Sequence, residues 1–440
     1  MSSPPATQSL RRALGRWDLT AIGVNQVIGS AIFLLPADVA RFVGPWAPVA
    51  FLLVGLLSLS IALCFAEVGS RFDRTGGPYL PARTAFGRFV GFEVGWMMWF
   101  TRVTSQASVA NGLALALAFY WPTLATGLPR ATLVTLVTLT LTWINVRGVR
   151  QSALVVNLLT WGKLLPLVVF ILAGVWFVDP ARFAMMPGVT VDQAGSAALL
   201  LIFAYGGYEV TGILAGEASH PRRDVPFAFV MTLITVTLVM TLTSIVATGV
   251  VPNIAATRTP LADGAAIVLG AFGALVISAG SSLSMAGNNM GQILNGSRTI
   301  FALAENGDLP RWFARVHPRF QTPSNAILFT AGVALALALS GSFVFLAVVS
   351  AIARLVMYLA VCAATVVLRG HTPSGDMGPA LFVIPLGPVV PAVAFLVALS
   401  ILVGATPAQL GSGVAALVAG AVLFAVAPRT SHESTEARSH

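Results

Sequence analysis

Apolar residues run through this chain in long blocks. Runs long enough to cross a bilayer fall at about 17–40, 46–68, 89–120, 129–146, 152–177, 193–217, 226–251, 265–296, 323–340, 342–368, 380–403 and 406–428. A hydrocarbon core about 30 Å thick takes roughly 20 apolar residues of helix. The pattern therefore predicts an all-α polytopic membrane protein with about twelve transmembrane helices. The third and eighth runs are overlong, and are expected to tilt or to begin in the interface.

Two of these runs are interrupted. The first contains Gly23-Val24-Asn25-Gln26-Val27-Ile28-Gly29-Ser30-Ala31. Gly29 and Ser30 lower helix propensity, and Asn25 and Gln26 bring amides to membrane depth. The sixth contains Phe203-Ala204-Tyr205-Gly206-Gly207-Tyr208-Glu209, again with glycines near its middle. Backbone can unwind in a bilayer only where protein or a water-filled cavity covers it. The first and sixth spans enter from opposite faces. Glycine-interrupted segments at matching places in two halves point to an inverted-repeat transporter with a site near the midplane. The competing reading is that these glycines only let helices pack closely.

Composition agrees with the pattern. Of 440 residues, 57% are hydrophobic and 9% charged, and the mean hydropathy is +0.86, outside the range of soluble domains. The net charge of +9 is explained by topology without nucleic acid. The outer loops would hold only Arg41, Arg130, Arg182 and Arg258, while inner loops and tails would hold Arg11, Arg12, Arg16, Arg71, Arg74, Arg83, Arg88, Arg147, Arg150, Arg222, Arg223, Arg298, Arg311, Arg315, Arg319, Arg369, Arg429 and Arg438. That asymmetry predicts both termini in the cytoplasm, and the expected location is the plasma (cell inner) membrane. The first 16 residues lack the apolar core of a cleavable signal peptide, so the first span is expected to persist. Cys64 and Cys362 lie in apolar runs and read as reduced packing residues, with no disulfide or metal site.

Five segments in order carry a family resemblance. They are Ile28-Gly29-Ser30-Ala31-Ile32-Phe33 with Leu34-Leu35-Pro36, then Glu67-Val68-Gly69-Ser70-Arg71-Phe72 with Arg74-Thr75-Gly76-Gly77-Pro78-Tyr79, then Asn145-Val146-Arg147-Gly148-Val149-Arg150 with Asn157, Lys163 and Leu164. Glu217, Pro221, Arg223, Val225 and Pro226 follow, and then Gly296-Ser297-Arg298, Asn306-Gly307-Asp308-Leu309-Pro310 and Thr322-Pro323. Together the chain resembles the amino acid–polyamine–organocation (APC) superfamily of amino acid permeases. The resemblance implies the LeuT-type 5+5 inverted repeat with discontinuous helices 1 and 6. Segments 17–177 and 193–368 would be the two repeats, 380–428 two accessory helices, and 1–16 and 429–440 cytoplasmic tails.

An amino acid presents a carboxylate and an ammonium on one carbon. A broken helix offers N–H groups at the start of its second half and carbonyls at the end of its first, with matching dipoles. The substrate carboxylate is therefore expected on Gly29, Ser30 and Ala31, next to Val27 and Ile28. The ammonium is expected on the carbonyls of Val27, Phe203 and Gly206. The family resemblance places a glycine where this chain has Ala31, and implies that Phe203 is an aromatic gate over the substrate.

Charges at membrane depth are expensive and usually functional or paired. Lys163 is the only lysine in the chain and sits mid-span. The resemblance suggests that a helix-5 lysine takes the place of a bound sodium ion. Lys163 could carry the coupling proton, or could act as a permanent cation locking helix 1 to helix 5. Arg354 occupies the equivalent place in helix 10 and is expected to brace the break in helix 6, unless it snorkels to an interface. Arg102 could bind a carboxylate, pair with Glu209, or face a vestibule. Asn288, Gln292 and Asn295 share one helix face. Gln292 is the candidate for the substrate side chain, with helix–helix hydrogen bonding as the alternative.

Other classes find little support. All five histidines fall in loops or the tail, the membrane carboxylates are scattered, and no phosphate-binding loop occurs. An enzyme, an ATP-driven pump, a cofactor and a metal are thus unexpected, and repeated pore rings of a channel are missing. The expected function is secondary transport of amino acids, proton-coupled and sodium-independent. The alternatives are an amino acid or polyamine exchanger, or a non-transporting sensor on the same fold. No acid stands out as partner for a cationic side chain, which favours neutral amino acids.

Overall fold

The structure is a computed structural model describing residues 14–73, 76–148, 153–183, 188–372 and 377–426, with side chains described from residue 162 onward in the helix that begins at Ala153. Arg11, Arg12, Arg74, Thr75, Val149, Arg150, Arg429, Arg438 and the side chain of Asn157 lie outside the described residues. Within them the chain is helical and has no strand, with one isolated bridge between Leu14 and Ala218.

The helices are α1 (Arg16–Val27), α2 (Ala31–Val43), α3 (Ala47–Gly69), α4 (Tyr79–Phe86), α5 (Arg88–Leu117), α6 (Gly127–Arg147), α7 (Ala153–Gly174), α8 (Val191–Tyr205), α9 (Val210–Ile213), α10 (Pro221–Val250), α11 (Pro260–Glu305), α12 (Ser324–Ser340), α13 (Phe343–Arg369), α14 (Val389–Val403) and α15 (Pro407–Val426). Seven helical stretches among the described residues are long and apolar enough to cross a membrane, at 31–69, 127–147, 191–217, 221–250, 260–305, 343–369 and 407–426. Three shorter apolar helices lie at 162–177, 324–340 and 389–403. The protein is thus a multi-pass membrane protein. α5 has the length, 30 residues, but carries Arg88, Glu93 and Arg102. Its polar side chains Arg102, Gln106 and Asn111 are turned inward and buried.

α11 takes up the overlong eighth run differently from a simple tilt. Its 46 residues are interrupted at Gly270, whose φ of 70° and ψ of −164° lie outside the helical region. α8 opens with a reciprocal cap: Gln193 N–H donates to Thr190 Oγ1 at 3.3 Å, and Thr190 N–H donates to Gln193 Oε1 at 2.9 Å.

In the interior α3 packs on α10, and α5 packs against both α11 and α13. α1 lies against α10 and α7, and α2 against α8. Leu136, Leu139, Leu172 and Leu396 point away from these contacts and are exposed. Isolated from lipid such a surface would be costly, but in hydrocarbon it is solvated.

Two ionic clusters tie helix ends together. Arg369 holds the buried Glu67 carboxylate with two bonds of 2.6 Å, and Ile384 N–H adds a third at 2.9 Å. Buried Asp308 accepts from Arg88 Nε at 2.7 Å and from Tyr79 OH at 3.0 Å. Burial, and then the Asp308 charge, pushes the Tyr79 phenol up to about 12.

Candidate functional site

The first break separates α1 from α2. α1 ends at Val27, Ile28 adopts φ −73° and ψ 89°, and helical geometry resumes at Ala31. The last carbonyls of a helix and its first N–H groups have no partners within it. Side chains supply partners to the carbonyls. Lys163 Nζ donates to Asn25 O and Ile28 O, both at 2.9 Å. Asn288 Nδ2 donates to Gln26 O at 2.9 Å, and Ser284 Oγ donates to Ile28 O or Gly29 O, each at 3.2 Å. A Cβ on Gly29 would stand 2.9 Å from Asn288 Nδ2 and would push away the amide that holds Gln26 O.

The second break separates α8 from α9. Gly206 leaves the helix with φ −79° and ψ 152°, and helix resumes at Val210. Arg354 Nη1 donates to Ile202 O at 3.4 Å and Phe203 O at 3.3 Å, and Gly206 N–H also donates to Phe203 O at 3.2 Å. A Cβ on Gly206 would fall 1.5 Å from Arg354 Nη1, so only glycine admits the guanidinium. Gly207 has φ +127°, a conformation that favours glycine, and a Cβ there would meet Gln26 O at 2.8 Å. The two breaks therefore touch.

Glu209 gathers the charges of this region. Its Oε2 accepts from Gly207 N–H at 2.8 Å and lies 3.5 Å from Arg102 Nη2. Its Oε1 accepts from Tyr358 OH at 2.5 Å and lies 3.1 Å from Arg354 Nε. Arg102 Nη1 donates to Gln292 Oε1 at 3.4 Å, and Gln292 Nε2 donates to Asn288 Oδ1 at 3.3 Å. A polar chain thus runs from Gln26 O through Asn288, Gln292 and Arg102 to Glu209, linking one break to the other. Arg102, Glu209 and Arg354 are each 1% exposed, so the protein alone must balance them.

Between the breaks lies a pocket with about 270 Å³ of empty space, open solvent at its mouth included, lined by Gln26, Val27, Gly29, Ser30, Ala31, Ser105, Val109, Phe203, Gly206, Asn288, Gln292 and Arg354. Ser30 Oγ and Gln26 Nε2 are buried there without a hydrogen-bond partner. Of the residues expected at the site, Val27, Gly29, Ser30, Ala31, Phe203, Gly206, Gln292 and Arg354 line this space, whereas Ile28 is packed in the apolar core. Lys163 stands behind the first break, on its carbonyls. Asn295 does not line the cavity, though spacing puts it near Gln292.

One feature differs from the expectation for the ammonium. The Phe203 carbonyl has two lone pairs, and Gly206 N–H and Arg354 Nη1 already point at them. A cation there would also face a guanidinium. The Phe203 ring sits edge-on to Phe343, with centroids 6.2 Å apart. Sequence reasoning missed Ser284, Ser105 and Tyr358. Ser284 extends the Asn288–Gln292 face by one further step of four, which is a readable signal. Ser105, paired with Ser350 Oγ at 2.7 Å across two helices, offers none.

A family profile described as amino acid permease matches residues 14–427. The chain is 27% identical to the methylthioribose transporter of Bacillus subtilis (strain 168) over 414 residues, covering 89% of this chain and 88% of that protein. It is 28% identical to the branched-chain amino acid permease of the same organism over 414 residues, covering 88% and 87%. It is 29% identical to that organism's serine/threonine exchanger over 398 residues, covering 88% and 89%.

Proposed function

The chain belongs to the amino acid permease family, and from that premise we propose that it is a secondary transporter of amino acids working by alternating access. The observation that carries this reading is the meeting of two helix breaks at one polar pocket. The free N–H groups that begin α2 attract a carboxylate, and the dipole of the half-helix adds to the attraction. The Val27 and Gly206 carbonyls take the ammonium. Twelve crossings, grouped as α1–α7 and α8–α13 in inverted repeats with α14 and α15 as accessory helices, would let α1/α2 and α8/α9 bend about the substrate. Phe203 would close over it. Both termini would be cytoplasmic, in the plasma membrane, as the arginine distribution favours.

In this reading Lys163 does the work of an ion. Its two bonds hold the end of α1, so sodium is not needed, and losing its proton would release α1. Transport is then driven by the proton gradient. Exchange of one amino acid for another is the second reading, favoured by the likeness to the serine/threonine exchanger. Proteoliposomes loaded with or without internal amino acid, with and without an imposed pH gradient, separate the two. Accumulation in empty vesicles under a gradient supports symport, uptake only into loaded vesicles supports exchange, and binding without uptake in either refutes transport.

A further inference from the structure

The cavity between the breaks is surrounded by more fixed positive charge than negative. Arg102 and Arg354 share a single carboxylate, Glu209. That carboxylate is filled: Tyr358 OH and Arg354 occupy one oxygen, and Gly207 N–H and Arg102 the other. Asp38 is taken by Arg41 and Glu67 by Arg369, and Glu93, whose carboxylate is buried without a partner on α5, does not line the cavity. Arginine keeps its charge at any working pH. Arg102 holds its cluster loosely: its Nε has no hydrogen-bond partner, and its bond to Gln292 is long at 3.4 Å. Arg354 leans partly on the carbonyl end of α8, whose dipole is worth about half a charge. Lys163 relieves nothing, because its partners are carbonyls. Arg354 and Gln292 line the cavity, and Arg102 stands one contact behind Gln292, 3.4 Å from its Oε1.

Resting on the transporter reading above, we propose that the substrate is an amino acid with an acidic side chain. Its α-carboxylate sits at the start of α2, and its second carboxylate sits on the side lined by Arg354 and Gln292. A neutral zwitterion brings as much positive charge as negative and leaves the excess uncancelled. A basic amino acid or polyamine would add to the excess. An acidic amino acid carries one net negative charge and cancels it. The unpartnered Arg102 Nε and the stretched Arg102–Gln292 contact are what a cluster awaiting an anion would show.

The test is binding to the purified full-length protein by calorimetry, with glutamate, aspartate, their amides glutamine and asparagine, leucine and lysine as the probes. At least one acid is expected to bind about tenfold or more tightly than its own amide, the worth of one charge-assisted hydrogen bond. In Arg102→Gln, Glu209 offsets Arg354 one for one, and the acid-to-amide ratio should fall to about twofold or less, while Arg102→Lys keeps it. Amides binding as well as acids in the native protein would overturn the inference and leave the transporter reading intact. An acid preference that survives Arg102→Gln unchanged would overturn the assignment to this charge balance. Neither binding nor proteoliposome uptake of any amino acid would instead overturn the transporter reading itself. The native ratio is decisive even where a variant fails to fold.

Discussion

Replacing Lys163 by methionine keeps the apolar stem and removes only the donor. Two carbonyls at the end of α1 lose their partner: Asn25 O outright, and Ile28 O in part, since Ser284 remains within 3.2 Å. A buried acceptor left bare costs about 1–3 kcal/mol, and a weakened bond about 0.5–1.5 kcal/mol more. Removing a buried amine returns some desolvation, so the net loss should be about 1–4 kcal/mol. The loss falls on the hinge itself, which frees α1 to move against α7. Thermal unfolding of the purified variant should therefore begin lower than in the native protein. In proteoliposomes the native protein should accumulate substrate only with an inward proton gradient, and Lys163→Met should lose that dependence. If the variant retains both native stability and gradient-driven accumulation, Lys163 neither holds α1 nor carries the proton. If the native protein itself ignores the gradient, the coupling role is rejected outright.

Three further outcomes follow from particular contacts. Gly207→Ala would strain a backbone at φ +127° and press a methyl to within 2.8 Å of Gln26 O, so substrate binding should weaken by tenfold or more while Gly212→Ala, outside the cavity, changes it little. Ala31→Gly opens room at the start of α2, and calorimetry should show unchanged or tighter binding of amino acids; weaker binding would argue against a carboxylate there. Tyr79 keeps its proton in the folded state up to about 12 against an ordinary 10.0, so the folded state binds more protons between those values and stability falls as pH rises through them. Asp308→Asn removes one cause of that shift, and alkaline unfolding monitored by phenolate absorbance should show Tyr79 titrating lower.

Much of the architecture was legible in the chain. Apolar runs separated by arginine-bearing loops require a membrane protein, because no soluble core could bury that much apolar surface. The helix breaks were legible for a local reason: glycine, serine and amides weaken a helix wherever they stand. Gln292 and Asn288 were legible through their spacing on one face of α11. The places where reading failed are those set by distance across the fold. Arg102 allowed three roles from the sequence, and its position 3.5 Å from Glu209 selects pairing. Ser105 looks like any small residue of a membrane helix until α13 is laid beside it.

Sequence alone determined which segments could not be continuous helix and which charges had to lie at membrane depth, since propensity and burial cost are properties of short stretches. Only the tertiary structure decided who serves which group. Arg354 reaches the Phe203 carbonyl ahead of any ligand because α13 crosses the end of α8, and Lys163 reaches Asn25 because α7 lies against α1. Residues 138 or 151 positions apart become hydrogen-bond partners through packing geometry, which no local pattern encodes.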